Sequence, residues 1–86
     1  MASYRIEWKA SAIRELRRLD RSVIPRIVEA VGRLAEVPFP QGCRKLKGST
    51  DTYRIRVGNY RVVYEVAERC LVIEIVRVRH RKDVYR

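Results

Sequence analysis

The strongest constraint on the fold lies in residues 53–66, where "YRIRV" and "YRVVYEV" alternate apolar and polar side chains on either side of Gly58-Asn59. A two-residue Gly/Asn link between two runs of period two defines a β-hairpin with a primed turn, because both residue types tolerate positive φ. The register follows from the turn. Val57 faces Tyr60, and counting back pairs Arg56 with Arg61, Ile55 with Val62, Arg54 with Val63 and Tyr53 with Tyr64. Side chains then sort by parity. Tyr53, Ile55, Val57, Tyr60, Val62, Tyr64 and Val66 share one face. A third alternating run, Leu71–Val78, extends the meander with Val66 expected opposite Leu71, which places Leu71, Ile73 and Ile75 on that same face. Arg54, Arg56 and Arg61 project from the other side.

The apolar face needs a cover, and the first forty residues supply one. Tyr4–Trp8 alternates as a half-buried strand. Ile13, Leu16 and Leu19 then recur at helical spacing, which predicts a helix over about residues 10–19. Ser22 reads as the N-cap of a second helix with Pro25 in its first turn, where a missing N–H costs nothing. Ile24, Ile27, Val31 and Leu34 form its buried stripe, and Pro38 and Pro40 stop it near Val37. Residues 38–50 read as a loop with a short extended piece around Leu46. The expected class is α+β, with an N-terminal strand and a two-helix hairpin packed on one face of an antiparallel sheet. Eighty-six residues leave room for a single domain, 1–86.

Charge narrows the partners. Twenty Lys and Arg against ten Asp and Glu give a formal +10, an excess that favours polyanions through counterion release and points to nucleic acid. No run reaches the length of a membrane span and residues 1–20 contain no apolar signal core, so a soluble, cytoplasmic protein without membrane contact is expected. Cys43 and Cys70, with His80 the single histidine, are too few for a zinc site. They read as reduced thiols, a lone bridge being the alternative. The carboxylates are scattered singly, so neither metal nor cofactor is expected.

Arg56 opposite Arg61 sets like charges roughly 5 Å apart, which costs a few tenths to about 1 kcal/mol and which folding alone does not explain. One reading is a solvated face relieved by Glu65 or Glu74. The other is a phosphate site, since guanidinium forks bind phosphate oxygens in pairs and stabilise charge building on a phosphoryl group. Arg77, Arg79, Arg81, Lys82 and Arg86 add a basic C-terminal segment. Within it, His80 is either a proton-transfer group or a surface or capping residue. Tyr85 either caps the core or, with its phenolate favoured by nearby guanidiniums, serves as a base.

"KLKG" at 45–48, "YRIRVGNYRVVYEV" at 53–66, "HRKDVYR" at 80–86 and "RLD" at 18–20 resemble, in order and spacing, the RelE branch of the RelE/ParE toxin superfamily. The resemblance spans essentially the whole chain. It implies a microbial RNase-like fold with a curved sheet, and a type II toxin that cleaves mRNA in the ribosomal A site by attack of a 2′-OH on the adjacent phosphate. It implies restraint by a cognate acidic antitoxin, through which operator DNA would be reached. Carried over by position, the basic strand residues fall on Arg54 and Arg56, the next-strand arginine on Arg61, the C-terminal arginine on Arg81 and the tyrosine on Tyr85. Some members hold lysine at the first two positions; arginine there can hold phosphate but is a poor base. Lys45, Lys47, Arg79 and Lys82 are expected to contact mRNA or ribosomal RNA. The rivals are a non-enzymatic, ParE-type gyrase inhibitor with the same fold, and a degenerate toxin that only binds its antitoxin and operator.

Overall fold

A computed structural model describes residues 3–84, with side chains as far as Lys82. The chain runs β1 (Arg5–Trp8), α1 (Ala10–Arg17), α2 (Ile24–Arg33), β2 (Arg44–Lys45), β3 (Thr52–Val57), β4 (Tyr60–Ala67), β5 (Val72–His80) and α3 (Arg81–Val84). The strands form one sheet in the order β1-β5-β4-β3-β2. The central hairpin has the register its turn dictates, from Val57 opposite Tyr60 through Arg56 opposite Arg61 to Tyr53 opposite Tyr64. Gly58 takes φ +60 while Asn59 keeps ordinary negative φ, the pattern of a type II′ turn. A side chain at Gly58 would also sit 3.3 Å from the Arg26 guanidinium.

Three expectations need correction. The sheet is antiparallel except at its edge, where β1 lies parallel to β5: the helical hairpin carries the chain back across one face, so β1 and β5 run the same way. The last hairpin is longer than expected, with Val66 opposite Ile73 and not Leu71. Leu71 sits in the turn at φ +54 with 39% of its surface exposed, so it leaves the core. Ser22 does not cap α2, whose N-cap is Val23. Its N–H and hydroxyl both donate to the Asp20 carboxylate, which organises the inter-helix turn and has its pKa lowered by the backbone bond first and the hydroxyl second.

The helices also end sooner than their apolar spacing suggests, at Arg17 and Arg33, with tight turns carrying Leu19 and Leu34 onward into the core. The core cluster joins Ala12 of α1 and Ile27, Val31 and Leu34 at α2 to Ile55, Val62, Tyr64, Val66, Ile73, Ile75 and Val78 of the sheet. Complete burial of each large aliphatic contributes about 1.5–3 kcal/mol. Tyr64 is the largest fully buried side chain, and its hydroxyl donates to the Pro38 carbonyl at 2.8 Å. Burial pushes its phenol well above the ordinary tyrosine pKa, with the Cys43 thiol adding to the shift. Cys43 and Cys70 are both unbridged. Among the described residues no helix is long and apolar enough to cross a membrane.

Candidate functional site

The face of the sheet away from α1 and α2 is built from the alternate residues of the same strands. Two rows across it are cationic. Arg56, Arg61 and Arg79 are successive cross-strand partners, and beside them run Arg44, Arg54, Val63 and Arg77. Val63 is buried yet stands outside the core cluster, as a residue on this outer face should. One step further along the strands the sign reverses: Thr52, Glu65, Glu74 and Glu7 form the next row. Glu65 and Glu74 therefore oppose each other, and no salt bridge joins either to an arginine among the described residues. No group of three His, Cys, Asp or Glu among the described residues is placed to hold a metal ion.

A β-bulge completes the cationic face. Tyr64 pairs with Ile75 but Val63 pairs with Arg77, so Val76 is an extra residue on β5. Strict alternation from Ile73 and Ile75 would send Arg77 and Arg79 toward the helices. The bulge resets the parity, which turns both arginines outward and drives Val78 into the core at 1% exposure. Arg44 and Arg77 are thus members of the face that the sequence reading missed. The spacing of Val78 after Ile75, three residues and not two, was the available signal.

Burial differs sharply along the arginine row. Arg61, on the central strand, is 7% exposed and is the one buried charged residue among those described. Arg54 is half-buried, while Arg56 and Arg77 are exposed. Arg79 is held by Glu15 of α1, its Nε 2.9 Å from Oε2. One buried and one anchored guanidinium beside exposed ones, with no carboxylate on Arg44, Arg54, Arg56 or Arg77 among the described residues, suit an oxyanion of more than one charge.

The other candidates separate from this face. Lys45 is the partner of Tyr53, so alternation turns it to the helix side, where its ammonium stands 6.0 Å from the Tyr53 ring centre. Lys47 is exposed in the turn that follows. His80 pairs with Tyr60 and meets its ring edge-on at 5.2 Å, on the helix side as well. It also sits one residue before α3, where its Nδ1 accepts the Lys82 N–H at 3.2 Å, the geometry of an N-cap. Arg81 and Lys82 are exposed, and the Arg81 N–H donates to the Asn59 carbonyl, tying the start of α3 to the β3–β4 turn. Tyr85 lies outside the described residues.

A fold of this order is found in known proteins. The family model described as the ParE toxin of the type II toxin–antitoxin system parDE matches residues 6–85. Toxin RelG of Mycobacterium tuberculosis is 31% identical over 84 residues, 96% of this chain and 97% of RelG. The mRNA interferase toxin RelE of Escherichia coli K12 is 29% identical over 87 residues, 96% of this chain and 90% of that protein. Among solved structures, the archaeal RelE–RelB complex of Pyrococcus horikoshii superposes with a TM-score of 0.82 at 31% identity, covering 92% of this chain and 96% of its own. The chain belongs to the RelE/ParE superfamily of type II toxins, and these relatives place it with the RelE type.

Proposed function

We propose that the protein is a metal-independent endoribonuclease that cleaves mRNA on the ribosome, acting through the arginine face. The observation that supports this most is the row Arg56–Arg61–Arg79, three like charges at adjacent positions with the middle one buried. The 2′-OH of the target nucleotide attacks its own 3′-phosphate, the P–O5′ bond breaks, and the products are a 2′,3′-cyclic phosphate and a 5′-hydroxyl. Arg61, with Arg54, Arg56 and Arg79, clamps the phosphate and stabilises the dianionic phosphorane. Tyr85 takes the 2′-OH proton, and Arg81 stabilises the charge on the departing O5′, which takes its proton from solvent water. Arg54 and Arg56 stay charged and serve as clamps only. His80 holds the start of α3, the short helix leading to Tyr85. With so few groups of strong acid or base character, the ribosome must supply much of the rate by orienting the mRNA. Cleavage of free RNA is accordingly expected to be feeble.

The chain's activity would be restrained in the cytoplasm by a cognate antitoxin, as the RelB chain accompanies RelE in the Pyrococcus complex. Its +10 charge matches an acidic partner. A groove of about 560 Å³ between α2, the 40–42 loop and β3, lined by Leu34, Val37, Pro40 and Ile55 with Arg33 and Arg56 at its rim, offers that partner an apolar seat. Val37 and Phe39 nearby are 54% and 40% exposed.

The test is to map breaks in mRNA on programmed ribosomes with the wild type, Arg61→Ala and Tyr85→Phe. Cleavage within the A-site codon by the wild type, lost in both variants, is the expected result. Intact mRNA with gyrase-dependent DNA breaks would overturn the reading in favour of a ParE-type inhibitor.

A further inference from the structure

β1 covers only part of the edge of β5. Its last bond is from the Lys9 N–H to the Ile75 carbonyl, and from Val76 onward the edge of β5 has no neighbouring strand among the described residues. An open edge leaves backbone N–H groups in need of acceptors. α1 begins where β1 stops and runs on beside this edge. Glu15, six residues after Lys9, is carried about 9 Å along the helix at ~1.5 Å per residue. Val78, three residues after Ile75, lies about 10 Å along the strand at ~3.3 Å per residue. The two advances match, and the Glu15 carboxylate arrives where a strand carbonyl would have been. Its Oε1 accepts the Val78 N–H at 2.9 Å.

The second oxygen does something a strand carbonyl could not. Oε2 accepts the Arg79 Nε–H at 2.9 Å, so one carboxylate fixes both the bulged backbone and the side chain that the bulge has turned outward. Bonding at Nε leaves the paired Nη groups of Arg79, the fork that grips phosphate, on the far side of the guanidinium from Glu15. Arg79 is thereby anchored by a carboxylate that Arg44, Arg54, Arg56 and Arg77 lack among the described residues.

We infer that Glu15, a residue of the helix layer, is a positioning residue for the outer face: it fixes the Arg79 fork beside Arg61 for phosphate binding. This rests on the phosphate-clamp reading above. Glu15 touches no substrate and acts through Arg79.

The test is a double-mutant cycle of Glu15→Gln and Arg79→Ala, read by single-turnover cleavage on programmed ribosomes and by the Arg79 Nε–Hε NMR signal. In the wild type that signal should exchange slowly with solvent, and Glu15→Gln should speed its exchange. Glutamine retains an acceptor for the Val78 N–H, so that amide should stay protected. The cleavage rate of Glu15→Gln should fall roughly ten- to a hundredfold with no rise in the half-saturating ribosome concentration. In the Arg79→Ala background the same substitution should change the rate less than about twofold. Equal losses in both backgrounds would overturn the inference, leaving Glu15 as support for the β5 backbone. So would a wild-type rate in Glu15→Gln, or fast Nε–Hε exchange in the wild type, a measurement that needs no variant to fold. Absence of cleavage by the wild type itself would instead defeat the nuclease reading, and the positioning role with it.

Discussion

The two faces of the sheet are made from alternate residues of the same strands, yet they obey opposite rules. On the inner face Ile55, Val62, Tyr64, Ile73 and Ile75 meet α1 and α2, and the cross-strand neighbours of these five are aliphatic or aromatic. On the outer face neighbours repel: arginine opposes arginine in one row, and glutamate opposes glutamate in another. Like-charged cross-strand pairs each cost a few tenths to about 1 kcal/mol. The inner face therefore holds the fold together while the outer face works against it. Such a distribution makes sense if an external polyanion relieves the arginine rows, and the carboxylate row confines that polyanion to one end of the sheet.

The contrast can be broken from either side. The largest effect on stability should come from the inner face: Ile73→Ala, at a fully buried site, should cost about 2–5 kcal/mol in denaturant unfolding while leaving the cleavage rate of the folded fraction near wild type. A selective loss of cleavage at full stability would blur the division. On the outer face, Arg61→Ala should lower single-turnover cleavage by about 10²–10³-fold. Arg61→Lys should rescue little of this, because an ammonium lacks the fork.

Arg56→Glu sharpens the comparison further by pulling stability and function apart. Opposite charges would now face each other at Arg61, so the variant should gain about 0.2–1 kcal/mol, seen as a rise of a few degrees in Tm. Its RNA affinity should fall, and the dependence of log K on log salt should become shallower by about 1–2. Tyr64→Phe tests the inner face's buried hydrogen bond and should cost about 1–2 kcal/mol by orphaning the Pro38 carbonyl. The pH dependence follows from the raised phenol pKa: the stabilisation by Tyr64 is intact below the unfolded-state value near 10 and is lost as pH rises beyond it. Alkaline unfolding monitored with wild type and Tyr64→Phe should show that sag in the wild type alone. The smallest effect is at His80. His80→Ala should lower cleavage severalfold by fraying α3, whereas His80→Asn, a good N-cap, should stay within about twofold of wild type. Equal loss in both would show that the imidazole itself moves a proton.

Much of this contrast was legible in the sequence because parity is local. Gly58-Asn59 fixes the register of β3 and β4, and with it the opposition of Arg56 and Arg61. What escaped was whatever depended on a departure from strict alternation or on contacts far apart in the chain. The Val76 bulge reverses parity midway along β5, so Arg77 and Arg79 could not be assigned a face by counting from Ile73. Leu71 looks apolar in sequence but closes a turn in the left-handed region. Ser22 is a good N-cap type, but the nearby Asp20 carboxylate engages it first. Glu15, at its place on the polar side of a short amphipathic helix, reads as solvated; only the parallel placement of β1 beside β5 brings it to Arg79.

Chemical-shift mapping with a short 2′-O-methyl RNA, which can bind but cannot supply the attacking hydroxyl, tests the division of the outer face most directly. Shifts should concentrate at residues 54, 56, 61, 77 and 79, fade toward Glu65 and Glu74, and be absent from α1 and α2 apart from Glu15. Shifts centred on the helices or on the carboxylate row, with the arginines unmoved, would contradict the account.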